Sequence, residues 1–398
     1  MEQIIELRRK ASNTRRVEHR ILGRITFSAD DQQREDCLLV VRREDVLVGP
    51  GGADGFAAVL VEDGAERLLP DQFLSPVLSG IADLSGLTKG SIVAVSPNGA
   101  LVTLFRPESS HNAIFATAQC NSNCLMCSQP PGDDDSDMVA EHLRLIALID
   151  KPPVALGITG CEPTLLGEGI VTVLSAIKER FPETAVHMLT NGRAYADDRF
   201  VAELAAAAPQ GFVSGVPLYA DVPDLHDWIV QAKGAFAETM AGLYNAARYG
   251  LRTEIRVVLH KQTLPRLVPL MGFIYRNLPF VGHVALMGLE NMGYVKKNRE
   301  ALWIDPLDFA EELEEAVKAM HYRGMRLSVY NLPLCVLPRA VWPFARQSIS
   351  DYKNIYLEEC GGCAVRRRCS GLFASSKNLH SRGIQRFVEV PNSLDLCL

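Results

Sequence analysis

The chain opens on charge and then settles into short apolar runs. Residues 1 to about 20, "MEQIIELRRKASNTRRVEHR", predict a helix or a loose arm. From about 21 to 107, runs such as "CLLVV" and "AAVLVED" alternate with glycine-rich punctuation, the pattern of short β-strands. In "SIVAVSPNGALVTLF" two apolar runs flank Asn98-Gly99, a pair that readily takes positive φ, which predicts a hairpin. "GPGGADG" has the glycines of a phosphate loop. It lacks a Lys-Ser/Thr ending and a following helix, so it reads as a turn.

After "RPESSHN" the periodicity changes. The strand-like runs "NAIFATA", "VALGITG", "AVHMLT", "GFVSGVPLY", "RTEIRVVLH", "VGHVALMG" and "MRLSVY" alternate with helical patterns up to about residue 330. The first of these helices, "DMVAEHLRLIALID", has an acidic cap; the second places Ile170, Val173, Leu174 and Ile177 on one face; "AFAETMAGLYNAARYG" ends at Gly250, which suits a C-cap. Right-handed crossovers turn such a series into a parallel sheet, open or curled toward a barrel, and hence an α/β fold. Chemistry then belongs in the loops after the strands' C-terminal ends.

With 398 residues the chain is long enough for two or three domains: a β-rich N-terminal domain over 1–109, the alternating region over 110–330 and a Cys-rich C-terminal region over 331–398. A 47% hydrophobic and 22% charged composition excludes a disordered protein. The net charge of -6 and basic runs as short as Arg15-Arg16 and Arg366-Arg367-Arg368 offer no footprint for nucleic acid. No stretch approaches 18 uncharged apolar residues and the N-terminus lacks a signal-type apolar core, so no membrane span and a cytoplasmic location are expected. The ten cysteines should be reduced there, and their clustering points to metal.

"CNSNCLMC" places Cys120, Cys124 and Cys127 directly after the first strand of the alternating region. Three thiolates in one short loop can hold three irons of a 4Fe–4S cube and leave the fourth iron without a protein ligand. A zinc site completed by a distant cysteine is the alternative. "TGCEPTLLG", "LTNGR" and "SGVPLYAD" follow the second, third and fourth strands. Polar or glycine-rich chemistry at the same end of four consecutive strands argues for one shared pocket. Taken singly, Asn191-Gly192 reads as a turn and Glu162 as an N-cap. His226 and Asp227 in "DLHDWI" suggest acid/base work or an ordinary helix start. A second group, Cys360, Cys363 and Cys369, invites a fourth ligand: Cys335 leads and Cys397 is second. Iron–sulfur and zinc both remain open for this closed site.

"CNSNCLMC" resembles the Cys-x3-Cys-x2-Cys motif of the radical S-adenosylmethionine (SAM) superfamily, and "GCEP" is similar to its Gly-Gly-Glu-Pro motif, over about 112–330. The resemblance implies a partial (β/α)6 barrel whose open iron chelates the amino and carboxylate groups of SAM. Reduction then yields methionine and a 5′-deoxyadenosyl radical that takes hydrogen from substrate. It further implies that Glu162 contacts the methionine amino group, that Asn191, Ser214 and Arg256 lie near SAM, and that Met126 packs near adenine. Met126 and Arg256 also read as core filler and an ion-pair partner. Cys161 stands where the superfamily has glycine, either as a thiol hydrogen donor or as a tolerated small residue.

Within the superfamily, "ATAQCNSNCLMCSQPP", "GITGCEPTLL", "PLYADVPDLHDWIVQAKGAFAETMAGL" and "CGGCAVRRRCSGLFASS" resemble the maturases of the His-Xaa-Ser system. That resemblance implies a ribosomally made precursor as substrate, a second radical SAM maturase alongside, and a reductase or flavodoxin-type electron donor. It also implies an auxiliary 4Fe–4S cluster after the barrel. A radical SAM enzyme acting on a small molecule and a non-catalytic zinc or iron–sulfur scaffold are the competing readings.

Overall fold

A computed structural model describes residues 8–45, 52–69, 74–132, 138–347 and 354–390. Two compact units emerge. One comprises Met1–Ile114, Asp137–Gly157 and Ser175–Ala185, the other Phe115–Ser136, Ile158–Leu174 and Val186–Leu398.

The first unit is built on eight strands: β1 (Arg8–Lys10), β2 (Asn13–Arg15), β3 (Ile21–Thr26), β4 (Cys37–Val41), β5 (Ala58–Glu62), β6 (Val77–Ile81), β7 (Ile92–Val95) and β8 (Ala100–Phe105), in the order β1-β8-β7-β3-β4-β5-β6-β2. The predicted hairpin is β7–β8, antiparallel, with Gly99 at φ 82 and Asn98 Oδ1 accepting from the Ala100 amide at 3.0 Å. β3 to β6 pair in parallel. "CLLVV" is buried along its whole length because it packs on both faces: Leu38 and Val40 join one apolar cluster, Cys37, Leu39 and Val41 another. Within 8–20, the expected helix or loose arm is corrected to β1 and β2. β1 pairs with β8 and β2 with β6, so one segment stitches both edges of the sheet. The three residue steps from Lys10 to Asn13 span at most ~11 Å, which draws the edges together into a barrel-like closure. Open backbone groups at those edges outweigh the weak helical propensity of a short charged segment. Residues 52–55 of "GPGGADG" form turns; residues 49–51 lie outside the described residues, as does the acidic stretch before Met138. α1 (Met138–Leu148) belongs to this unit, held by Arg20–Glu141 at 2.6 Å and Arg144–Asp36 at 2.5 Å.

The second unit carries most of an eight-stranded sheet of order β16-β15-β14-β13-β12-β11-β10-β9. Its strands are β9 (Asn112–Phe115), β10 (Ala155–Thr159), β11 (Ala185–Leu189), β12 (Val213–Pro217), β13 (Arg252–Leu259), β14 (His283–Gly288), β15 (Leu327–Tyr330) and β16 (Ala345–Arg346). Pairing from β11 through β16 is parallel, in sequence order, as the βα alternation requires. The connecting helices are α2 (Glu168–Arg180), α3 (Asp198–Ala207), α4 (Pro223–Val230), α5 (Ala235–Arg248), α6 (Leu267–Asn277), α7 (Arg299–Leu302) and α8 (Ala310–Tyr322). Alternation decides which face is which. Val216, Ile255 and Val257 are buried in the core formed with Leu267, Leu270 and Ile274 of α6, so Gly215, Glu254 and Arg256 point to the opposite, inner face. The mixed α/β architecture with a parallel sheet and a β-rich N-terminal region is the one expected. No described helix is long and apolar enough to cross a membrane.

Candidate functional site

The Cys120–Cys127 loop has no regular structure of its own and is held from three sides. Asn123 and Leu125 amides donate to the Val230 and Ile229 carbonyls at 3.0 and 2.9 Å, using acceptors that the end of α4 leaves free. The Tyr294 amide donates to the Cys127 carbonyl at 2.9 Å, and Asn298 Nδ2 to the Leu125 carbonyl at 2.8 Å. A Cβ on Gly293, at φ 56, would lie 2.2 Å from the Cys127 oxygen, so only glycine admits this approach. From the turn after β11, Arg193 reaches the Asn121 carbonyl and Ser122 Oγ and pairs with Glu238 at 2.5 Å.

The thiols crowd one another. Burial, then the neighbouring Cys127 and Cys120, pushes Cys124 up to about 12, and burial raises Cys120 and Cys127. Cys161 joins them: its thiol and that of Cys127 both donate to the Gln129 carbonyl, at 3.3 and 3.0 Å. Among the described residues no three His, Cys, Asp or Glu side chains converge on one point able to hold a single ion. Three neighbouring thiols on one short loop are a donor set that a 4Fe–4S cluster can take, one thiolate to each of three irons.

Glu162 is fully buried at the end of β10. Its Oε1 accepts from the Thr164 amide (3.0 Å), Thr164 Oγ1 (2.6 Å) and Thr190 Oγ1 (2.6 Å); Oε2 accepts from the Asn191 amide (2.6 Å). Burial pushes the carboxyl up, and these donors pull it part of the way back. Glu162 is therefore the N-cap of the Pro163–Leu166 turn and also a clasp between two strand ends. Asn191 extends the clasp, donating through Nδ2 to Asn121 Oδ1 at 2.6 Å and so linking Glu162 to the cysteine loop. Cys120, Cys124, Cys127, Cys161, Glu162 and Asn191 thus form one connected constellation.

Arg256 pairs with Glu254 at 3.0 Å on the inner face, and Tyr219, which ends β12's exit, feels both its charge and the Cys124 and Cys127 thiols. Met126 is buried in a cluster with Tyr219, Ile229 and Val295. Ser214 is not brought to these residues: it is buried on the helix-facing side, with Oγ 2.9 Å from Tyr195 OH. His226 and Asp227 have structural work. His226 Nδ1 accepts from the Tyr219 amide at 3.2 Å, and burial pulls its pKa down to about 4; Asp227 accepts from the Gly234 and Phe236 amides where α5 begins. Arg193, Thr164, Thr190 and Gly293 had no role assigned from sequence. Thr164, Thr190 and Arg193 stand inside the quoted strand-end motifs, which is their only signal in the sequence, and Gly293 stands outside every quoted motif.

The tail cysteines gather as well. Cys335 follows β15 in the short turn Leu334–Val336, and with Cys360, Cys363 and Cys369 it lines one pocket of about 320 Å3 counted to its open mouth. Burial, then Cys369 and Cys360, pushes the Cys335 thiol up to about 11. Backbone amides face the sulfurs: Leu334 and Gly371 donate to Cys369 Sγ at 3.4 and 3.5 Å, Phe387 to Cys363 Sγ at 3.4 Å. Cys397, the second candidate, lies outside the described residues.

Residues 114–274 match the family model of the Radical SAM superfamily. No curated protein matches the chain. Among solved structures, Streptococcus suis SuiB bound to S-adenosylmethionine is similar at 17% identity over 56% of this chain and 50% of its own, with a TM-score of 0.44. SuiB bound to its precursor peptide SuiA gives 17% identity, 57% and 49% coverage and a TM-score of 0.45; native anSMEcpe with bound AdoMet gives 16%, 55%, 62% and 0.43. The chain spans about half the length of the SuiB chains it matches. Over residues 114–274 the chain is similar to the Radical SAM superfamily.

Proposed function

We propose that the protein is a radical SAM enzyme that modifies a ribosomally made precursor containing His-Xaa-Ser repeats. The observation that carries the catalytic part is the three-thiol loop after β9, tied through Asn191 to the buried Glu162. Cys120, Cys124 and Cys127 would each hold one iron of a 4Fe–4S cluster. Such a cluster would pass one electron from an external reductant to SAM, splitting it into methionine and a 5′-deoxyadenosyl radical able to take hydrogen from substrate. Glu162 Oε1 is filled by three donors, whereas Oε2 has one, so Oε2 keeps the acceptor capacity that would take the SAM ammonium. Asn191 orients that carboxylate, Arg256 lines the inner face and Met126 packs the wall beside the loop. Ser214 supports the strand through Tyr195.

Cys335, Cys360, Cys363 and Cys369 hold a second, closed 4Fe–4S cluster. Amide N–H groups directed at sulfur suit thiolate ligands, and four thiols line one pocket. The precursor specificity, the partner maturase and the flavodoxin-type or reductase electron donor rest on the resemblance of the quoted motifs.

Anaerobically reconstituted protein with dithionite should convert SAM to 5′-deoxyadenosine. A co-expressed precursor should change mass, and Cys120/Cys124/Cys127→Ala should abolish the change. An iron-loaded sample that never yields 5′-deoxyadenosine overturns the catalytic reading; an unmodified precursor with SAM cleavage intact overturns only the substrate.

A further inference from the structure

A pocket of about 540 Å3, counted to its open mouth, lies at the C-terminal ends of β13, β14 and β15 under the tail segment 372–384. Its place is where ligands of parallel sheets bind. It borders both cysteine sites: Leu289 lines it and packs on the cluster containing Met126 and Cys124, while Pro333 and Leu372 line it and the four-cysteine pocket.

Two features define what it would take. None of the described lining residues is Asp, Glu, Lys or Arg; the only titratable one is His380. A zwitterionic ligand such as SAM would find no counter-charge. Second, the lining carries unpaired amide groups. Asn331 is 7% exposed, and neither its Nδ2 nor its Oδ1 has a hydrogen-bond partner. Asn291 Nδ2 holds the tail through Ser376 Oγ and the Leu379 carbonyl, at 3.1 and 3.0 Å, but its Oδ1 is also unpartnered. Buried amides without partners are rare in folded proteins. A donor and an acceptor side by side on one planar group are complemented by another amide, which a polypeptide main chain supplies. Trp303 and Phe309 provide apolar walls.

We propose that this pocket binds an uncharged stretch of the polypeptide substrate, an apolar side chain whose flanking peptide amide pairs with Asn331, and so positions it between the two cysteine sites. The proposal rests on the peptide-substrate reading above and names the class of segment and the residue that reads it. Asn331 also sits at φ 62, a conformation that asparagine tolerates, so a purely turn-forming role is the alternative. Glycine serves the turn equally well, which separates the two.

The test uses the full chain, with N-acetylphenylalaninamide and N-acetylphenylalanine as probes, titrated by ligand-observed saturation-transfer NMR. The amide should bind, and the carboxylate, of similar size but charged, should bind at least tenfold more weakly. Asn331→Gly should weaken amide binding about tenfold, with the melting temperature nearly unchanged. Equal binding of the two probes, no binding of the amide, or an Asn331→Gly variant that binds like wild type overturns the proposal. None of these readouts needs SAM cleavage or precursor modification, so their failure is distinct from failure of the catalytic reading.

Discussion

Glu162 is one residue with two demands on it, and the demands can be separated. Truncation to alanine strands four donors in a buried place, each at a cost of about 1–3 kcal/mol, so Glu162→Ala should lose stability as well as function. Glu162→Gln keeps the shape and removes the charge. It should retain the cluster and melt within a few degrees of wild type. SAM affinity, measured by calorimetry, should fall by at least tenfold, the size expected for a charge-assisted contact of about 1.5–3 kcal/mol. Unchanged SAM affinity would leave Glu162 as a clasp alone. Arg193 makes the complementary case, since it touches the loop backbone and no thiol. Arg193→Ala should lower iron per chain after reconstitution while leaving the far-UV spectrum intact; full iron loading would show that the α4 and Gly293 contacts suffice. The residue types of this site were legible from strand-end motifs, but the partners of Glu162 were not. Thr190 and Asn191 are 28 and 29 positions away, and only the adjacency of β10 and β11 in the sheet brings them to it.

At the scale of the element, β13 shows what alternation can and cannot tell. Its period of two was readable, and Thr253, Ile255, Val257 and Leu259 are indeed its buried face. The other face carries Glu254, with His283 Nδ1 of β14 at 2.7 Å, Arg256 of its own strand at 3.0 Å and His187 of β11, reached across β12, at 3.5 Å. Gly215 on β12 leaves the room: a Cβ there would lie 3.0 Å from Arg256 Cδ and 3.1 Å from His187 Nε2. Burial alone would raise the Glu254 carboxyl, but the two imidazoles and the Arg256 charge outweigh it and hold it well below the usual carboxylate range. A depressed folded-state pKa means stability that is present above the ordinary value of ~4.3 and lost as pH falls below it. The melting temperature should therefore drop on acidification below about pH 4.5, and the drop should be shallower in Glu254→Gln. An identical acid slope in the variant would show that Glu254 is not the group responsible. The charged segment before residue 20 failed the same kind of reading, because three-residue strands carry too little periodicity to outvote composition.

For the whole molecule, the decisive quantity is the metal inventory. If both cysteine groups hold 4Fe–4S cubes, reconstituted wild type should carry about eight irons and eight sulfides, and Cys120/Cys124/Cys127→Ala about four of each. A colourless triple variant with one zinc would restrict iron–sulfur chemistry to the loop after β9. By itself the sequence determined the α/β alternation, the two cysteine groups, and the placement of chemistry at the strands' C-terminal ends. Those features are local or periodic, and burial and ligand spacing write them directly into residue type. Tertiary structure alone decided the rest. It gathered Cys335 with Cys360, Cys363 and Cys369 around one pocket, turned Ser214 to the helix side, passed the N-terminal segment between both edges of a sheet, and left Asn331 unpaired beside the tail. Each depends on which distant segments pack together, and packing is set by the sum of many weak, non-directional contacts that no short stretch of sequence records.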